Sequence, residues 1–289
     1  MKKIISQIVV LILLIVIIVS CDYVQNANPP VEPTAGPVDN TIYKKVLVED
    51  YTGHKCGNCP AAADMLTTLE SQYPDKIVPM AIHAGFFAAV NAAYPTDFRN
   101  TAGNAYDTQF GISAAGNPNG LINRTGFGTG GFIKAYTSWG SEIAQQIAQA
   151  AKFQIKIKNV YNTGSNSLNT DITVKSLTSN AGTYKLVVLL TEDSVIAEQL
   201  DYRLPAGSQL ISNYKFNHVL RGAINSEWGD AIFTTAASAN DSVVKSFTNF
   251  SINSTYNANK CHVVAYVYDA DAASPTYYEV LQVEEAHVK

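Results

Sequence analysis

The sequence predicts an α/β domain followed by an all-β domain, both carried behind an export signal. Three observations predict it. Between residues 43 and 151, short apolar runs alternate with segments whose apolar residues recur at helical spacing, which gives the order β–α–β–α–β–α. After Phe153 the period changes to two, and about seven alternating segments follow with no helical pattern between them. Before residue 43 the chain reads as an address and a tether.

Lys2 and Lys3 precede an unbroken apolar run from Ile8 to Val19, and Ser20 and Cys21 follow it. A charged start, an apolar centre and a small residue before a cut are the parts of an export signal, assigned here to residues 1–20. The run is shorter than the ~20 residues a spanning helix needs. Residues 21–42 hold four prolines, Pro29, Pro30, Pro33 and Pro37, and little apolar content, so they read as an extended tether. The 289-residue chain has a net charge of −4, and no basic run exceeds the pairs Lys2–Lys3 and Lys44–Lys45. That excludes the basic footprint of a nucleic-acid binder.

The elements follow in order. Lys44–Asp50 has an apolar centre, Val46-Leu47-Val48, and reads as a buried strand. Cys56-Gly57-Asn58-Cys59-Pro60 makes a turn, and Ala61–Tyr73 carries Met65, Leu66 and Leu69 at helical spacing before Pro74 stops it. Ile77–His83 reads as a second strand, with Pro79 an awkward residue for a central position. Residues 85–112 form an insertion with short helices around 97–110; a short strand at Leu121–Asn123 and an amphipathic helix at Ser141–Phe153 complete the α/β part, 43–151. Strands are expected at 153–160, 168–175, 183–191, 217–224, 243–251, 261–268 and 276–284, so residues 152–289 are assigned an antiparallel sandwich of immunoglobulin-like architecture.

The cysteines carry the chemistry. A thiol at the start of a helix is favoured as thiolate by unpaired backbone N–H groups, and Cys56 is placed there, with Cys59 one turn on to resolve a mixed disulfide. The same pair also suits a permanently closed structural disulfide. A zinc site would need Cys261 and His54 or His83 as further ligands, and no metal or cofactor is assigned. His54 and Lys55 are adjacent cations able to favour a Cys56 thiolate. His83, at the end of the second strand, is a candidate to exchange a proton near Cys56. Cys261 opens an alternating strand and reads as a buried small residue, and Asn217-His218 as a loop or interface anchor.

The segment VLVEDYTGHKCGNCP resembles the active-site strand and turn of the thioredoxin superfamily. The resemblance implies a thioredoxin-like α/β domain in which Cys56 is the nucleophile, Cys59 resolves, and Asp50, six residues before the nucleophile, accepts a proton. It also implies a cis-proline loop at Asn117-Pro118, with Asn117, Gly57 and Asn58 on the substrate-facing side. The chain departs from that pattern where His54 and Lys55 replace the usual aromatic. Ile18-Val19-Ser20-Cys21 resembles the lipobox of bacterial lipoproteins, which implies lipidation of Cys21.

TGHKCGNCPAAA, AIHAG, NGLINR and FNHVLRGAI together resemble the family of Gram-negative outer-membrane lipoproteins first described as a twenty-eight-kilodalton outer membrane protein. That resemblance implies a lipid-anchored place in the cell envelope, at the outer membrane. Two functions are expected from it. One is thiol–disulfide exchange on the thiols and disulfides of exported proteins. The other is binding or adhesion to an envelope partner, with the CxxC as a structural disulfide.

Overall fold

The computed structural model describes residues 41–289. The expectations for the export signal at 1–20, for Cys21 and for the tether up to residue 40 lie outside the described residues. Val46–Thr52 (β1) is buried at all seven positions, as a strand covered on both faces must be. Cys59–Gln72 (α1) has a proline in its first turn, where a missing N–H costs nothing, and buries Ala62, Leu66 and Leu69 on one side. Ile77–His83 (β2) runs parallel to β1, in a register that sets Asp50 beside Ala81 and Thr52 beside His83.

Pro79 is tolerated in β2 for a local reason. Ala81, two residues on and so pointing to the same side, donates its N–H to the His218 carbonyl at 2.8 Å. Val219–Ala223 (β11) pairs with β2 at Ala81 alone. The Pro79 nitrogen therefore faces a place beside the ladder where no donor is required.

Gly85–Ala88 (α2), Thr101–Phe110 (α3) and Ile112–Ala115 (α4) fill the connection to Asn119–Ile122 (β3), which pairs antiparallel with β1. Asn100 caps α3 by accepting from the Gly103 N–H at 2.9 Å. Lys134–Ala135 (β4) pairs with β3, and Trp139–Ile147 (α5) follows. Phe153–Asn162 (β5) and Ser167–Ser176 (β6) form a long antiparallel pair, joined by Ser242–Ser251 (β14) into a three-stranded sheet. Asn180–Ala181 (β7) pairs with Ala236–Ala237 (β13). Val195–Leu200 (β9) and Leu210–Phe216 (β10) make a separate hairpin. Tyr184–Glu192 (β8), Asp230–Phe233 (β12), Cys261–Asp269 (β15) and Val280–His287 (β16) complete the set.

The expected fold class, an α/β thioredoxin-like domain followed by an immunoglobulin-like sandwich, is corrected here. The strands form one nine-stranded mixed sheet in the order β16-β15-β8-β11-β2-β1-β3-β4, with β12 also on β8. Strand dominates and helices are few. The parallel contact of β11 with β2 joins strands from both expected halves, and Ile42–Lys289 is a single compact unit. Periodicity reports that a segment is a strand and which face is buried; it carries no information about which strand lies beside it. The mixed sheet runs across the boundary expected near residue 152.

Alternation along β1 assigns its side chains to two layers. Leu47 and Tyr51 pack with Val78, Met80 and Ile82 of β2, Tyr106 and Phe110 of α3, and Val187, Val264 and Tyr266 of the later strands. Val46 and Val48 pack instead with Leu66 and Leu69 of α1 and with Trp139 and Ile143 of α5. The three-stranded sheet contributes Phe153, Ile155, Leu168, Ile172 and Val174 to a further core with Leu186, Val188, Val263 and Val267. Within the first layer Arg124 is fully buried; its Nε and Nη2 donate to both oxygens of Glu49 at 2.8 and 2.7 Å, and Nη2 also reaches the Tyr266 hydroxyl at 2.9 Å. Among the described residues no helix is long and apolar enough to cross a membrane.

Candidate functional site

β1 ends at Thr52, and the chain turns at once through Gly53, His54, Lys55 and Cys56. The turn is closed by Cys56 N–H to the Gly53 carbonyl at 2.9 Å and by Cys59 N–H to the Cys56 carbonyl at 3.1 Å. Cys56 and Cys59 are joined as a disulfide, Cα to Cα 5.4 Å. Helix α1 begins at Cys59, with Asn58 as its N-cap. Cys59, and not Cys56, thus occupies the helix start.

Both cysteines are 2% exposed. What covers their turn is the β9–β10 hairpin. Leu200 donates its N–H to the His54 carbonyl at 2.8 Å, Tyr202 donates to the Gly57 carbonyl at 2.8 Å, and the Gln199 side-chain amide donates to the Cys56 carbonyl at 3.0 Å. The Tyr202 ring lies on Gly57 so closely that a Cβ there would stand 2.5 Å from it. Arg203 anchors the hairpin tip, bonding Asp201 and reaching Asp64 of α1 at 2.6 Å. The carbonyls of His54, Cys56 and Gly57 in the CxxC turn are thus taken up by this chain's own residues.

The residues flanking the turn are engaged by aromatic rings of the 85–112 insertion. His54 is buried, stacks on Tyr94 at 5.2 Å between ring centres, and sits 3.3 Å from the Ala89 carbonyl; burial lowers its pKa. Lys55 lies over the Phe86 ring at 4.6 Å.

Beside the disulfide is a cavity of about 360 Å³. The register of β1 with β2 builds its floor, since Asp50, Thr52, Ala81 and His83 all project into it. Helix α1 supplies one wall with Cys59, Pro60, Leu66 and Glu70, and the end of β10 supplies another with Tyr214, Lys215 and Phe216. Asp50 is 3% exposed and its Oδ1 has no hydrogen-bond partner; burial pushes its carboxyl up to about 7, against the opposing pull of His218. His83 is 1% exposed and neither ring nitrogen has a partner; burial, with His54 and Arg221 nearby, holds its imidazole down at about 3, and the Ala81 backbone offsets only part of this. His83 packs on Phe98 and Phe216 at 4.6 and 5.4 Å between ring centres.

His218 lies at the cavity's far side, with Nε2 3.5 Å from Glu70 and Nδ1 3.3 Å from Asp193. Burial alone would lower its pKa, and the two carboxylates carry it upward instead. Asn217 accepts from the Ser194 N–H at 3.0 Å, so the Asn217-His218 pair ties down the turn between β8 and β9.

Of the sequence-expected site residues, Asp50, Cys59 and His83 share the cavity. Cys56 and Gly57 are buried under the hairpin and Asn58 is exposed. The Asn117–Pro118 peptide is cis and precedes β3, whose Asn119 pairs with Tyr51 of β1. Neither residue lines the cavity, and both amide atoms of Asn117 are buried without a partner. Cys261 is fully buried and unpaired, and burial beside Glu192 raises its thiol to about 12. Among the described residues no cluster of three or more His, Cys, Asp or Glu is arranged to hold a metal ion. The residues that sequence reasoning missed are Gln199, Tyr202, Tyr214 and Phe216. Leu204-Pro205-Ala206-Gly207, a turn signal between two short apolar segments, was the available clue to their hairpin.

Residues 103–289 match the family model described as outer membrane protein Omp28. Among solved structures, HBP35 of Porphyromonas gingivalis superposes with a TM-score of 0.63 at 16% identity, covering 86% of this chain and 76% of that one. A protein of Agrobacterium tumefaciens solved by X-ray crystallography superposes with a TM-score of 0.52 at 11% identity, covering 86% of this chain and 96% of that one. At these identities the likeness is one of fold. No curated protein matches the sequence.

Proposed function

The chain belongs to the Omp28 outer membrane protein family, and from that premise we propose that it is an envelope binding protein whose Cys56–Cys59 disulfide is a structural staple. The observation that carries the reading is the hairpin over the turn. Disulfide exchange needs an attacking thiolate to approach a sulfur along the S–S axis, and here both cysteines are buried while three hydrogen bonds from residues 199–202 cover the turn. The staple fixes the turn against which the hairpin closes, and the hairpin in turn walls the cavity. Attachment to the outer membrane runs through a lipid on Cys21, which the Ile18–Cys21 motif supports.

One observation favours thiol–disulfide exchange as a second reading. Asp50, half-ionised near neutrality, shares a cavity with Cys59, and could move a proton for a pair in which Cys56 attacks and Cys59 resolves. The reduction potential of the pair, measured by trapping free thiols after equilibration in graded redox buffers, separates the two readings. A staple is expected below about −300 mV, and a value between roughly −120 and −270 mV would replace it with an exchange catalyst.

A further inference from the structure

The cavity beside the staple presents an unusual set of groups. Asp50 Oδ1 is buried with no partner in the protein, and neither ring nitrogen of His83, also buried, makes a hydrogen bond of good geometry; the Ala81 backbone is its polar neighbour along β2. Such orphaned groups are costly unless something completes their hydrogen bonds. The volume, about 360 Å³, falls within the range of small-molecule sites. We propose that this cavity is a binding site for a small primary amine, its ammonium donating to Asp50 and His83 and its apolar body lying against Leu66 and Phe216.

Charge and donor count select an ammonium. Asp64 is paired with Arg203, and Glu70 with His218, so Asp50 is the lining acid that makes no ion pair and feels His218 only as a weaker opposing pull. His83 is kept neutral and therefore offers an acceptor nitrogen. An ammonium has three N–H donors and no acceptor, which suits a carboxylate and a neutral imidazole on neighbouring strands. The walls opposite are Pro60, Leu66 and Phe216, which favour a ligand with one charged end and one apolar end.

The proposal names a ligand for the binding reading and rests on it. Its test is isothermal titration of the purified protein with benzylamine and, as a neutral control of the same size, benzyl alcohol. At pH 8 benzylamine is expected to bind at least tenfold more tightly than the alcohol. The groups facing Asp50 are His83 on β2, Glu70 and Asp64 on α1, Tyr214 and the exposed Lys215 on β10, and His218. Because the ammonium requires the ionised carboxyl, affinity should fall roughly tenfold between pH 8 and pH 6, as Asp50 takes up its proton. The alcohol should show no such loss, and Asp50→Asn should abolish the preference for the amine. Absence of benzylamine binding, equal affinity for both probes, or an unchanged preference in Asp50→Asn would each overturn the site. The staple reading fails separately, through a disulfide potential measured with no amine present.

Discussion

Asp50→Asn should stabilise the protein, by an amount that grows as the pH rises from 4 to 7. The carboxyl is held near 7 against a usual 3.8, a difference of about three units. Each unit is worth about 1.4 kcal/mol, so ionising Asp50 in the folded state costs about 4 kcal/mol more than in the unfolded chain. The folded state binds the proton more tightly, so between pH 4 and pH 7 it holds more protons than the unfolded state and stability falls as pH rises. Below pH 4 both states are protonated and the penalty is absent. Asparagine cannot ionise. The gain of the variant over the natural protein should therefore be near zero at pH 4 and reach about 4 kcal/mol by pH 8. Glu285, raised to about 7 by burial, titrates in the same window but is common to both proteins and drops out of the difference. With a urea dependence of about 2–3 kcal/mol/M, the expected shift in midpoint at pH 8 is roughly 1.5 M. Urea unfolding at pH 4, 6 and 8 measures it. Two stability curves that stay parallel across that range would refute the placement of Asp50 in a dry, uncompensated site.

Gly57→Ala places a methyl group 2.5 Å from the Tyr202 ring; it should cost about 1–3 kcal/mol, as overpacking does, and should speed reduction of the disulfide by dithiothreitol as the hairpin lifts. Equal reduction rates would show that Tyr202 does not guard the turn. Glu49→Gln leaves the Arg124 guanidinium buried without its counter-ion and should cost about 3–5 kcal/mol in chemical unfolding. Replacing both residues by methionine should recover most of that loss, since an apolar pair leaves no charge to compensate.

Much of the local structure was legible. The first strand, the CxxC turn and the helix after it form within two residues of where patterning places them, because each is encoded by neighbours within a few residues. The burial of Cys261 was legible too. What escaped was everything set by distant partners. Segment 195–200 was not recognised as a strand because its pattern is inverted by context: Ile196 is exposed and Gln199 buried. Gln199 is buried because its amide serves the Cys56 carbonyl, a requirement that lies 143 residues away. The surroundings of His54 and Lys55 were hidden for a related reason. Their charge was visible in the sequence, whereas the Tyr94 and Phe86 rings that engage them belong to the insertion. The cavity itself needs a strand pair, a helix and a hairpin in one place, and no single segment announces it.

The seam between β2 and β11 also bears on how the molecule is made. A growing chain that has reached residue 200 has already produced β1, β2 and β8, yet the strand that sits between β2 and β8 does not exist. Nor do Val264, Tyr266 and Val283, which complete the layer over Leu47 and Met80. Until those residues emerge, the early strands present an open edge and an uncovered apolar face, the surfaces through which partly made proteins stick to one another. The layer over β1 and β2 is therefore complete only once β11, β15 and β16 have taken their places beside the earlier strands.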